Sequence, residues 1–484
     1  MQKPARKILL ITILAAIAVC IAVITASRWK PAKTPPDTAY LSLLREAYTA
    51  VSKSYVEKPD EAKLVKSMVD GMLATLDPHS AYLPPEPFKE MTIQMSGAFG
   101  GVGIELGMKE GRLVVIAPID DTPAFRAGIH ANDHIWKIDG TTTRDMSIAA
   151  AVKRMRGEKG TPVTLTILRS DSPRPLVFPL IRDIIKIKSL KARVLDEGIG
   201  YIRISQFQER TGIDFRQALQ ELHTAVGGEL KGLVIDLRYN PGGLLNACID
   251  VANCFIGDDI KNTLIVSTKG RQRGSSQIFN ATLGTKEPRY PIVVLVNGGS
   301  ASASEILAGA LQDHKRAIVM GKQTFGKGSV QSIIPLKGNA ALKLTTARYY
   351  TPSGRSIQAK GIVPDIVVEN VRPLPPKSTV EGEFKEKDLD GRLAPEAGKT
   401  PEKGAVKEPA TGGGKAPAAG AKEPVKEPAK GKDGKEPTRD PAKGGASAGH
   451  GINPDDLDKD YQLQRALGLL KSLDLVKQQA FPLN

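Results

Sequence analysis

The chain is poor in cysteine and in aromatic residues. Its 484 residues include three cysteines and two tryptophans, and aromatic residues make up 5% of the total. Three cysteines exclude a disulfide-stabilised scaffold and a zinc site built from four thiolates. Hydrophobic residues still make up 41% of the chain. This is enough for a sizeable core and excludes disorder of the whole chain, while the length predicts about three domains at ~150 residues each.

An excess of acidic residues is also lacking. Sixty-eight Lys and Arg against 52 Asp and Glu give a net charge of +16, a balance that raises nucleic acid or anionic lipid as partners. Residues 1–36 hold six basic and no acidic residues, whereas residues 37–370 hold 42 and 34 without a dense basic cluster. We therefore predict no nucleic-acid partner.

The basic excess at the start of the chain flanks an uncharged run of 19 residues, Ile8–Ala26. About 20 apolar residues can span a bilayer, whereas the core of a cleaved signal peptide has about 7–15. We expect residues 1–27 to be a signal peptide or an uncleaved anchor in the inner membrane, and the sequence leaves open which. The basic end stays in the cytoplasm, so the rest of the chain would be exported to a periplasmic or other extracytoplasmic location.

The C-terminal part of the chain has a different composition. Residues 371–450 contain 11 Pro and 13 Gly, and Lys-Glu-Pro occurs four times. Such a segment cannot bury enough apolar surface to fold, so we predict a disordered tether rich in Lys, Glu, Pro and Gly over residues 371–454. Leu463, Ala466, Leu467 and Leu470 then recur at helical spacing. They predict a C-terminal helix within residues 455–484.

The middle of the chain begins with a predicted helical region over residues 37–95. Residues 96–183 change to short strands and turns, with a helix at 147–156. This order resembles a PDZ domain, in which a Gly-rich loop binds a peptide's terminal carboxylate and the peptide adds as a strand. The substrate-binding loop here would be Gly101, Val102, Gly103 and Ile104. The glycines alone would also suit a hairpin.

Residues 184–370 alternate predicted strands and helices, which is typical of an α/β core. Three serines stand at alternate positions, Ser300, Ser302 and Ser304, between a predicted strand and a predicted helix. A hydroxyl at a helix N-terminus lies where the helix dipole favours developing negative charge. Serine is also a common N-cap residue, and this segment alone favours capping.

A lysine in a glycine-rich stretch is the candidate base. Lys327 lies between Gly326 and Gly328, and burial would have to lower its pKa by roughly three units for it to act at neutral pH. Gln331 could orient its amine. The turn at Asp236–Gly243 follows a strand, and its glycines would let backbone amides approach a substrate oxygen; an ordinary strand-to-helix turn is the alternative.

Two other chemistries fit less well. His314 lies 12 residues after Ser302, about 18 Å along one helix, and no other histidine has a supporting motif, so a Ser-Lys pair needs fewer assumptions than a Ser-His-Asp triad. Gly321 to Lys327 matches most of a phosphate loop, but residue 328 is Gly where Ser or Thr should hold magnesium. An NTPase is therefore disfavoured.

Together these segments resemble the carboxyl-terminal processing peptidases, or tail-specific proteases, of the serine-lysine type with a PDZ domain. The resemblance runs from about Tyr40 to Val368, where Leu76–Tyr82 and Ala347–Gly354 are among the segments that carry it, and it resumes in Gln462–Lys471. It implies a crotonase-like α/β peptidase core over 184–370 with an inserted, β-rich PDZ domain over 96–183. It also implies an exported serine endopeptidase that acts through an acyl-enzyme on unfolded or tail-tagged proteins.

The resemblance assigns roles to particular residues. The nucleophile would be Ser302, the base Lys327 and the assisting residue Gln331. The oxyanion amides would belong to Ala303, Gly242 and Gly243, and Arg156 is a candidate for relaying PDZ occupancy, with a solvated helix end as its alternative. No cofactor or metal is implied; a homo-oligomer and an adaptor protein are left open as partners, and a non-catalytic PDZ adaptor is the alternative function.

Overall fold

A computed structural model of the protein describes residues 38–257, 263–284, 286–369, 384–394 and 460–480. The predicted leader over residues 1–27 lies outside the described residues, as does most of the predicted tether. Within the described ranges, no helix is long and apolar enough to cross a membrane. The chain divides into two compact units, one that ends at Met72 and one that begins at Leu73.

The first unit contains helix α1 (Thr38–Ser54) and most of helix α2 (Glu61–Ala74). Apolar residues recur every three or four positions along both helices and line a small cleft: Leu41, Leu44, Tyr48, Val65 and Met68. The predicted helical region is thus confirmed for these elements. It is wrong for Ala81–Leu83, which forms strand β1 before helix α3 (Pro85–Ser96).

The PDZ region is a small sheet with one long helix against it. Its elements are β2 (Ala98–Gly101), β3 (Ile104–Lys109), β4 (Arg112–Pro118), α4 (Pro123–Arg126), β5 (His134–Ile138), β6 (Thr141–Thr142), α5 (Ile148–Met155), β7 (Pro162–Leu168), β8 (Leu176–Ile181) and β9 (Asp183–Lys186). The sheet order is β3-β4-β5-β7-β8, with β6 beside β5, while β2 pairs with β9.

The period of two in β7 shows why this region forms strands. Val163, Leu165 and Ile167 are fully buried, and the threonines between them are half-buried. These residues form one apolar core with Val102 of the predicted binding loop and Ala151 of α5. Helix α5 begins where the Ser147 side chain accepts the Ala150 N–H at 3.2 Å, as N-cap chemistry predicts.

The following region contains two sheets and three helices. Its elements are β10 (Leu190–Val194), β11 (Ile199–Ile204), α6 (Thr211–Val226), β12 (Gly232–Asp236), α7 (Leu245–Ala252), β13 (Leu264–Gly270), β14 (Gln277–Asn280), β15 (Ile292–Val296), α8 (Ala303–Asp313), β16 (Ile318–Gly321), β17 (Ser329–Pro335), β18 (Ala341–Tyr350) and β19 (Ile366–Val367). The helix α9 (Tyr461–Ala480) follows near the end of the chain.

The larger sheet has the order β10-β11-β12-β15-β16-β19 and is parallel except for β10. Every residue of β12 and β15 is buried, as is typical of parallel strands covered on both faces. Ile235 and Val294 pack with helices α6, α7 and α8, whereas Val234 and Val293 pack with Leu463 and its neighbours on α9. The predicted C-terminal helix is confirmed over Tyr461–Ala480.

The second sheet was not predicted as a unit. It has the order β1-β18-β13-β14, and β17 pairs with β18 in antiparallel fashion. Strand β17 begins two residues after Lys327, and β18 spans ten residues. This sheet therefore places the sequence around Lys327 beside strand β1 and the hairpin β17–β18, rather than at the edge of the parallel sheet.

One part of the predicted tether is ordered. Residues 384–394 include a 3₁₀ turn at Glu386–Asp388, and the side chain of Glu386 is fully buried. The prediction of disorder over 371–454 is wrong for this stretch, because composition averaged over 80 residues conceals a short segment with specific polar contacts. The remainder of that prediction lies outside the described residues.

Candidate active site

Ser302 lies at a sharp turn between a buried strand and a buried helix. Strand β15 ends at Val296, and helix α8 begins at Ala303. Ser302 itself adopts φ 56° and ψ −114°, a conformation that costs a non-glycine residue of order 1–3 kcal/mol. It is 8% exposed. Strain of this kind at a strand-to-helix turn is how a nucleophilic hydroxyl is presented at the end of a sheet.

The three alternating serines have different partners. Ser300 Oγ donates to the Leu237 carbonyl at 2.8 Å, and Ser304 Oγ donates to the Asn240 carbonyl at 2.9 Å. Both hydroxyls fasten this loop to the turn after β12. Ser302 is the N-cap residue of α8 and forms a capping box with Glu305, whose N–H also donates to the Ser302 carbonyl at 2.9 Å. The structure thus distinguishes Ser302, at the N-cap of α8, from Ser300 and Ser304, whose hydroxyls bind the neighbouring turn.

A single carboxylate joins the Ser302 turn to the Lys327 loop. Glu305 Oε2 accepts the N–H of Ser302 at 2.8 Å and the N–H of Lys327 at 2.9 Å. Its Oε1 accepts the N–H of Gly326 at 2.7 Å and the Thr324 hydroxyl at 2.5 Å. Complete burial raises the pKa of Glu305 to about 7, against the opposing effect of these four hydrogen bonds. The carboxylate fixes the two backbones relative to each other.

Lys327 is half-buried in a low-dielectric setting. Burial, followed by the nearby Lys343 ammonium, lowers its pKa, while the carboxylates of Glu386, Glu305 and Asp77 oppose that shift. Among the described residues, its ammonium has no hydrogen-bond partner, so no acceptor holds the proton in place. A lysine whose pKa is lowered by burial is better suited to give and take a proton than an exposed one.

The hydrogen bonds of the Gln331 side chain among the described residues do not include Lys327. Its Nε2 donates to Ser329 Oγ at 2.9 Å and to Thr345 Oγ1 at 3.4 Å. Thr345 Oγ1 in turn donates to Asp77 Oδ1 at 3.1 Å. Gln331 therefore belongs to a polar network that joins strands β17 and β18 to the turn at Asp77.

The glycine turn after β12 lies directly against Ser302. A Cβ atom placed on Gly242 would stand 2.8 Å from Ser302 Cβ and 2.9 Å from Ala303 N, so only glycine fits. The Gly242 N–H donates to Asn240 Oδ1 at 2.9 Å. Within the described structure, the N–H groups of Ala303 and Gly243 have no acceptor. The free donors beside Ser302 are therefore those two amides. Gly242, which has no side chain, lets the turn approach Ser302 closely.

The predicted PDZ binding loop also presents free amides. The Val102 carbonyl accepts the Ala124 N–H at 2.9 Å, and the Gly103 carbonyl accepts the Ile119 N–H at 2.9 Å. The N–H groups of Val102 and Gly103 have no acceptor among the described residues. Carbonyls turned inward and amides left free match what a loop needs in order to bind a carboxylate.

Arg156 is the residue at the C-terminal end of helix α5. Its Nη1 donates to both carboxylate oxygens of Glu90, at 2.7 and 2.8 Å, and its guanidinium lies 4.6 Å from the centre of the Phe99 ring. Glu90 belongs to α3, outside the PDZ sheet. Arg156 therefore connects the PDZ helix to a neighbouring element, which a solvated helix end would not do.

Two residues of the site were not assigned a role from the sequence. Glu305 stands three residues after Ser302, which is the spacing of a capping box, so that pattern could have identified it. Tyr349 is hydrogen-bonded through its hydroxyl to the Ser302 side chain, and burial raises its pKa, which keeps the phenol protonated. Nothing in local sequence predicts that contact, because it joins β18 to the turn before α8.

No three His, Cys, Asp or Glu side chains in the described part of the chain are placed to hold a metal ion.

The sequence matches three family models: peptidase family S41 over residues 198–368, a PDZ domain over 100–177, and the N-terminal domain of the activating protease CtpB over 25–86. It is 50% identical over 344 residues to the carboxy-terminal-processing protease of Bartonella bacilliformis, a match that covers 70% of this chain and 78% of that protein. The chain belongs to peptidase family S41.

Two further proteins are similar to this chain. The carboxy-terminal processing protease CtpB of Bacillus subtilis is 37% identical over 330 residues, which is 67% of each protein. The solved photosystem II D1 C-terminal processing protease is 30% identical, and the match covers 68% of this chain and 92% of that one with a TM-score of 0.39. The predictions of a carboxyl-terminal processing peptidase, of a PDZ domain and of serine-type peptidase activity are thus confirmed.

Proposed function

We propose that this S41 peptidase cleaves its substrates with a Ser302–Lys327 pair and takes unstructured C-termini into its PDZ loop. The observation that carries the proposal is the Glu305 carboxylate, which binds the backbone N–H of both residues. A structural capping residue would need only the Ser302 contact. The alternation of parallel strands with helices around this site supports the crotonase-like core that the family resemblance implies.

The reaction proceeds in two halves. Neutral Lys327 takes the proton of the Ser302 hydroxyl as Oγ attacks the carbonyl carbon of the scissile peptide bond. The C–N bond breaks, the leaving amine receives the proton from the Lys327 ammonium, and an acyl ester remains on Ser302. Water then attacks the ester, with Lys327 as the base, and the carboxylate product leaves as Ser302 regains its proton.

Two backbone amides stabilise the oxyanion that forms in each half. The N–H groups of Ala303 and Gly243 are free in this structure, and Gly242 lets the turn approach Ser302. Loss of one such donor typically costs about 10²–10³ in kcat. Gln331 acts by orienting the β17–β18 network around Lys327 and reaches the amine when substrate reorders that network.

Substrate enters through its C-terminus. The amides of Val102 and Gly103 bind the terminal carboxylate, and the chain adds along β3 with its apolar side chains toward Ala151 and Met155, which are buried in the PDZ core. The part of the substrate that precedes its bound C-terminal tail then reaches Ser302. Ile104, the first residue of β3, begins the pairing edge.

The decisive experiment uses an unfolded protein with an apolar C-terminus as substrate. We expect the Ser302→Ala and Lys327→Ala variants each to lose activity by at least about 10³-fold, with the unfolding midpoint unchanged. New termini, read by mass spectrometry, identify cleavage. A chain that only captured tails would produce none.

Matched controls exist for both substitutions. Ser170 and Lys360 have exposed side chains without hydrogen-bond partners among the described residues, so Ser170→Ala and Lys360→Ala should retain full activity. Retention of activity by Ser302→Ala would overturn the serine assignment. Retention by Lys327→Ala alone would leave the nucleophile in place and transfer the base role to another group.

We further propose that residues 1–27 export the peptidase and hold it at the inner membrane. The support is the uncharged run of 19 residues between two groups of cations. A protease added to intact cells with a permeabilised outer envelope should degrade the peptidase core. Protection of the core under those conditions, with a periplasmic marker degraded, would contradict export.

A further inference from the structure

A short segment of the Lys/Glu/Pro-rich region lies against the Lys327 loop. Residues 384–394 form a 3₁₀ turn at Glu386–Asp388, and Glu386 is 0% exposed. A carboxylate is almost never fully buried unless it is paired. The contacts of this one side chain therefore indicate why the segment is ordered at this place.

Glu386 has three partners from distant parts of the chain. Its two carboxylate oxygens lie 2.9 and 2.8 Å from His79 Nε2. Gln358 Nε2 donates to Oε1 at 2.9 Å. The Glu386 N–H donates to the Phe325 carbonyl at 3.3 Å, two residues before Lys327. The segment thus binds the Lys327 loop directly and through a side chain.

Gln358, which binds Glu386, also binds the residue after Lys327. Its Oε1 accepts the Gly328 N–H at 3.0 Å, and its side chain is fully buried. Gly328 packs so closely that a Cβ would lie 2.3 Å from Gln358 N. The chain between Gly321 and Ser329 has no strand or helix of its own. Its shape therefore depends on hydrogen bonds to neighbouring segments, and the contacts of Glu386, Gln358 and Glu305 are among them.

His79 belongs to the Leu76–Tyr82 motif, for which the proposed chemistry has no use. Its N–H donates to Asp77 Oδ1 at 2.8 Å, and Asp77 also binds Ser80 and Thr345. The turn therefore presents the His79 ring to Glu386 from a fixed position. The His79 ring is 16% exposed, and the Glu386 carboxylate that it contacts is buried.

Charged side chains from four different segments of the chain lie near Lys327. Lys343 on β18 opposes the ammonium, whereas Glu386, Glu305 on α8 and Asp77 favour it, with Glu386 the strongest of the three carboxylates. Removal of the Glu386 charge should therefore favour the neutral amine.

We propose that Glu386 is a positioning residue of the peptidase: through Phe325, Gln358 and His79 it holds the loop that carries Lys327 in the geometry for proton transfer from Ser302. This inference rests on the proposed Ser-Lys chemistry and extends it, because it makes a segment of the low-complexity region part of the active-site support. A carboxylate that is fully buried is costly to the fold unless its hydrogen-bond partners compensate. Its position beside the base gives it a reason to be present.

The test uses the full chain and three variants: Glu386→Ala, Glu386→Gln and, as the matched control, Asp390→Ala. Asp390 is an exposed carboxylate of the same segment with no hydrogen-bond partner among the described residues. We expect Glu386→Ala to lower kcat about tenfold or more, with KM for a tail peptide changed less than about twofold. Asp390→Ala should match wild type.

Two further readouts separate positioning from a general structural role. Hydrogen exchange of the peptide that contains residues 323–328 should become faster in Glu386→Ala, with exchange in β11 and β12 unchanged. In Glu386→Gln, which keeps the shape, the acidic limb of kcat/KM should move to lower pH, because the negative charge that favours the Lys327 ammonium has been removed. His79→Gln should give a smaller loss of kcat in the same direction.

The outcomes distinguish the positioning role of Glu386 from a general structural role and from a failure of the Ser-Lys chemistry. Wild-type kcat and exchange in Glu386→Ala would overturn the positioning role while leaving the Ser-Lys assignment intact, provided that Lys327→Ala is inactive. A general loss of exchange protection, with kcat of the remaining folded fraction unchanged, would also overturn it. If Lys327→Ala is active, the proposed chemistry itself fails, and that result is distinguishable from either of the others.

Discussion

Ser302 combines a strained backbone with a side chain that is hydrogen-bonded to Tyr349. Its φ of 56° lies in the left-handed region, yet it is held there by the Glu305 carboxylate on its N–H. Glu305 completes a capping box with Ser302, and Ser300 and Ser304 bind the turn after β12. Two further groups bear on the Ser302 side chain: the Lys327 amine proposed as base and the phenol of Tyr349.

Tyr349→Phe tests the second of these groups. The phenol is hydrogen-bonded to Ser302 and stays protonated because burial raises its pKa, so we expect it to orient the serine hydroxyl. Its removal should lower kcat/KM about 5–30-fold, the equivalent of one hydrogen bond of about 1–2 kcal/mol. Steady-state cleavage of a tail peptide measures the change.

The adjacent tyrosine provides the control for that substitution. Tyr350 is also buried but points to the other face of β18. Tyr350→Phe should therefore keep kcat/KM within about twofold. Equal losses in both variants would show that the phenols act through the packing of β18 and not through Ser302.

At the level of elements, helix α9 completes the core from the far end of the chain. Arg238, 1% exposed, donates to both oxygens of Asp236 and to both oxygens of Asp460. Asp460 also accepts the Leu463 N–H at 3.1 Å at the start of α9. The turn that follows Arg238 carries Gly242 and Gly243. Docking of α9 therefore supports the turn proposed for the oxyanion.

Asp460→Asn should destabilise the protein by about 2–4 kcal/mol, since it leaves a buried guanidinium with one carboxylate instead of two. Asp196→Asn is the matched control, because Asp196 is 82% exposed and lies 3.9 Å from Lys471 of the same helix. Urea unfolding measures both. A change below about 0.5 kcal/mol in Asp460→Asn would show that α9 docks by its apolar face alone.

Periodicity was enough to predict the strands and helices that bury one continuous face. Ile292–Val296, the helix after Ser302 and the stripe at Leu463 and Leu470 lie where their patterns indicate. The separation of Ser302 from its neighbouring serines also follows from the motif. Sequence did not predict the contact of Glu386 with His79, which joins residues 307 positions apart. Such a contact depends on the fold and has no local pattern.

At the level of the whole molecule, stability should depend on pH through His223. Burial by itself would lower its pKa, but the contacts with Glu287 at 2.8 Å and the Gly228 carbonyl at 2.8 Å outweigh burial and raise it. Both ring nitrogens face acceptors, which only the imidazolium satisfies. The stabilisation is complete below the unfolded pKa of about 6.5 and is lost as pH rises through the folded pKa.

We therefore expect the difference in unfolding free energy between wild type and His223→Gln to be about 1 kcal/mol larger at pH 5.5 than at pH 9. His130→Gln is the control, because His130 is exposed and should give the same difference at both pH values. Denaturant titrations at the two pH values measure it. A difference that does not change with pH would show that His223 acts as a neutral hydrogen-bonding group.

The PDZ domain and the active site are joined by a continuous set of contacts. Arg156 at the end of α5 binds Glu90 on α3, which is followed directly by β2 and preceded by β1. Strand β1 pairs with β18 at Tyr82 and Leu342, next to Lys343. A shift of the PDZ helix on binding a tail can therefore reach Lys343 and Tyr349 without passing through the parallel sheet.

Arg156→Ala tests whether binding of a tail to the PDZ domain changes the cleavage rate through these contacts. Wild type should cleave a peptide with a free terminal carboxylate about 5–30-fold faster than the same peptide with a terminal amide, the range of a typical coupling free energy. In Arg156→Ala that ratio should approach one, while the unfolding free energy changes by less than about 1 kcal/mol because the pair with Glu90 is partly exposed. Arg154→Ala, two residues earlier and on the exposed side of α5, should keep the wild-type ratio. If Arg156→Ala keeps it as well, Arg156 only ends the helix, and the free carboxylate acts by raising occupancy of the PDZ loop.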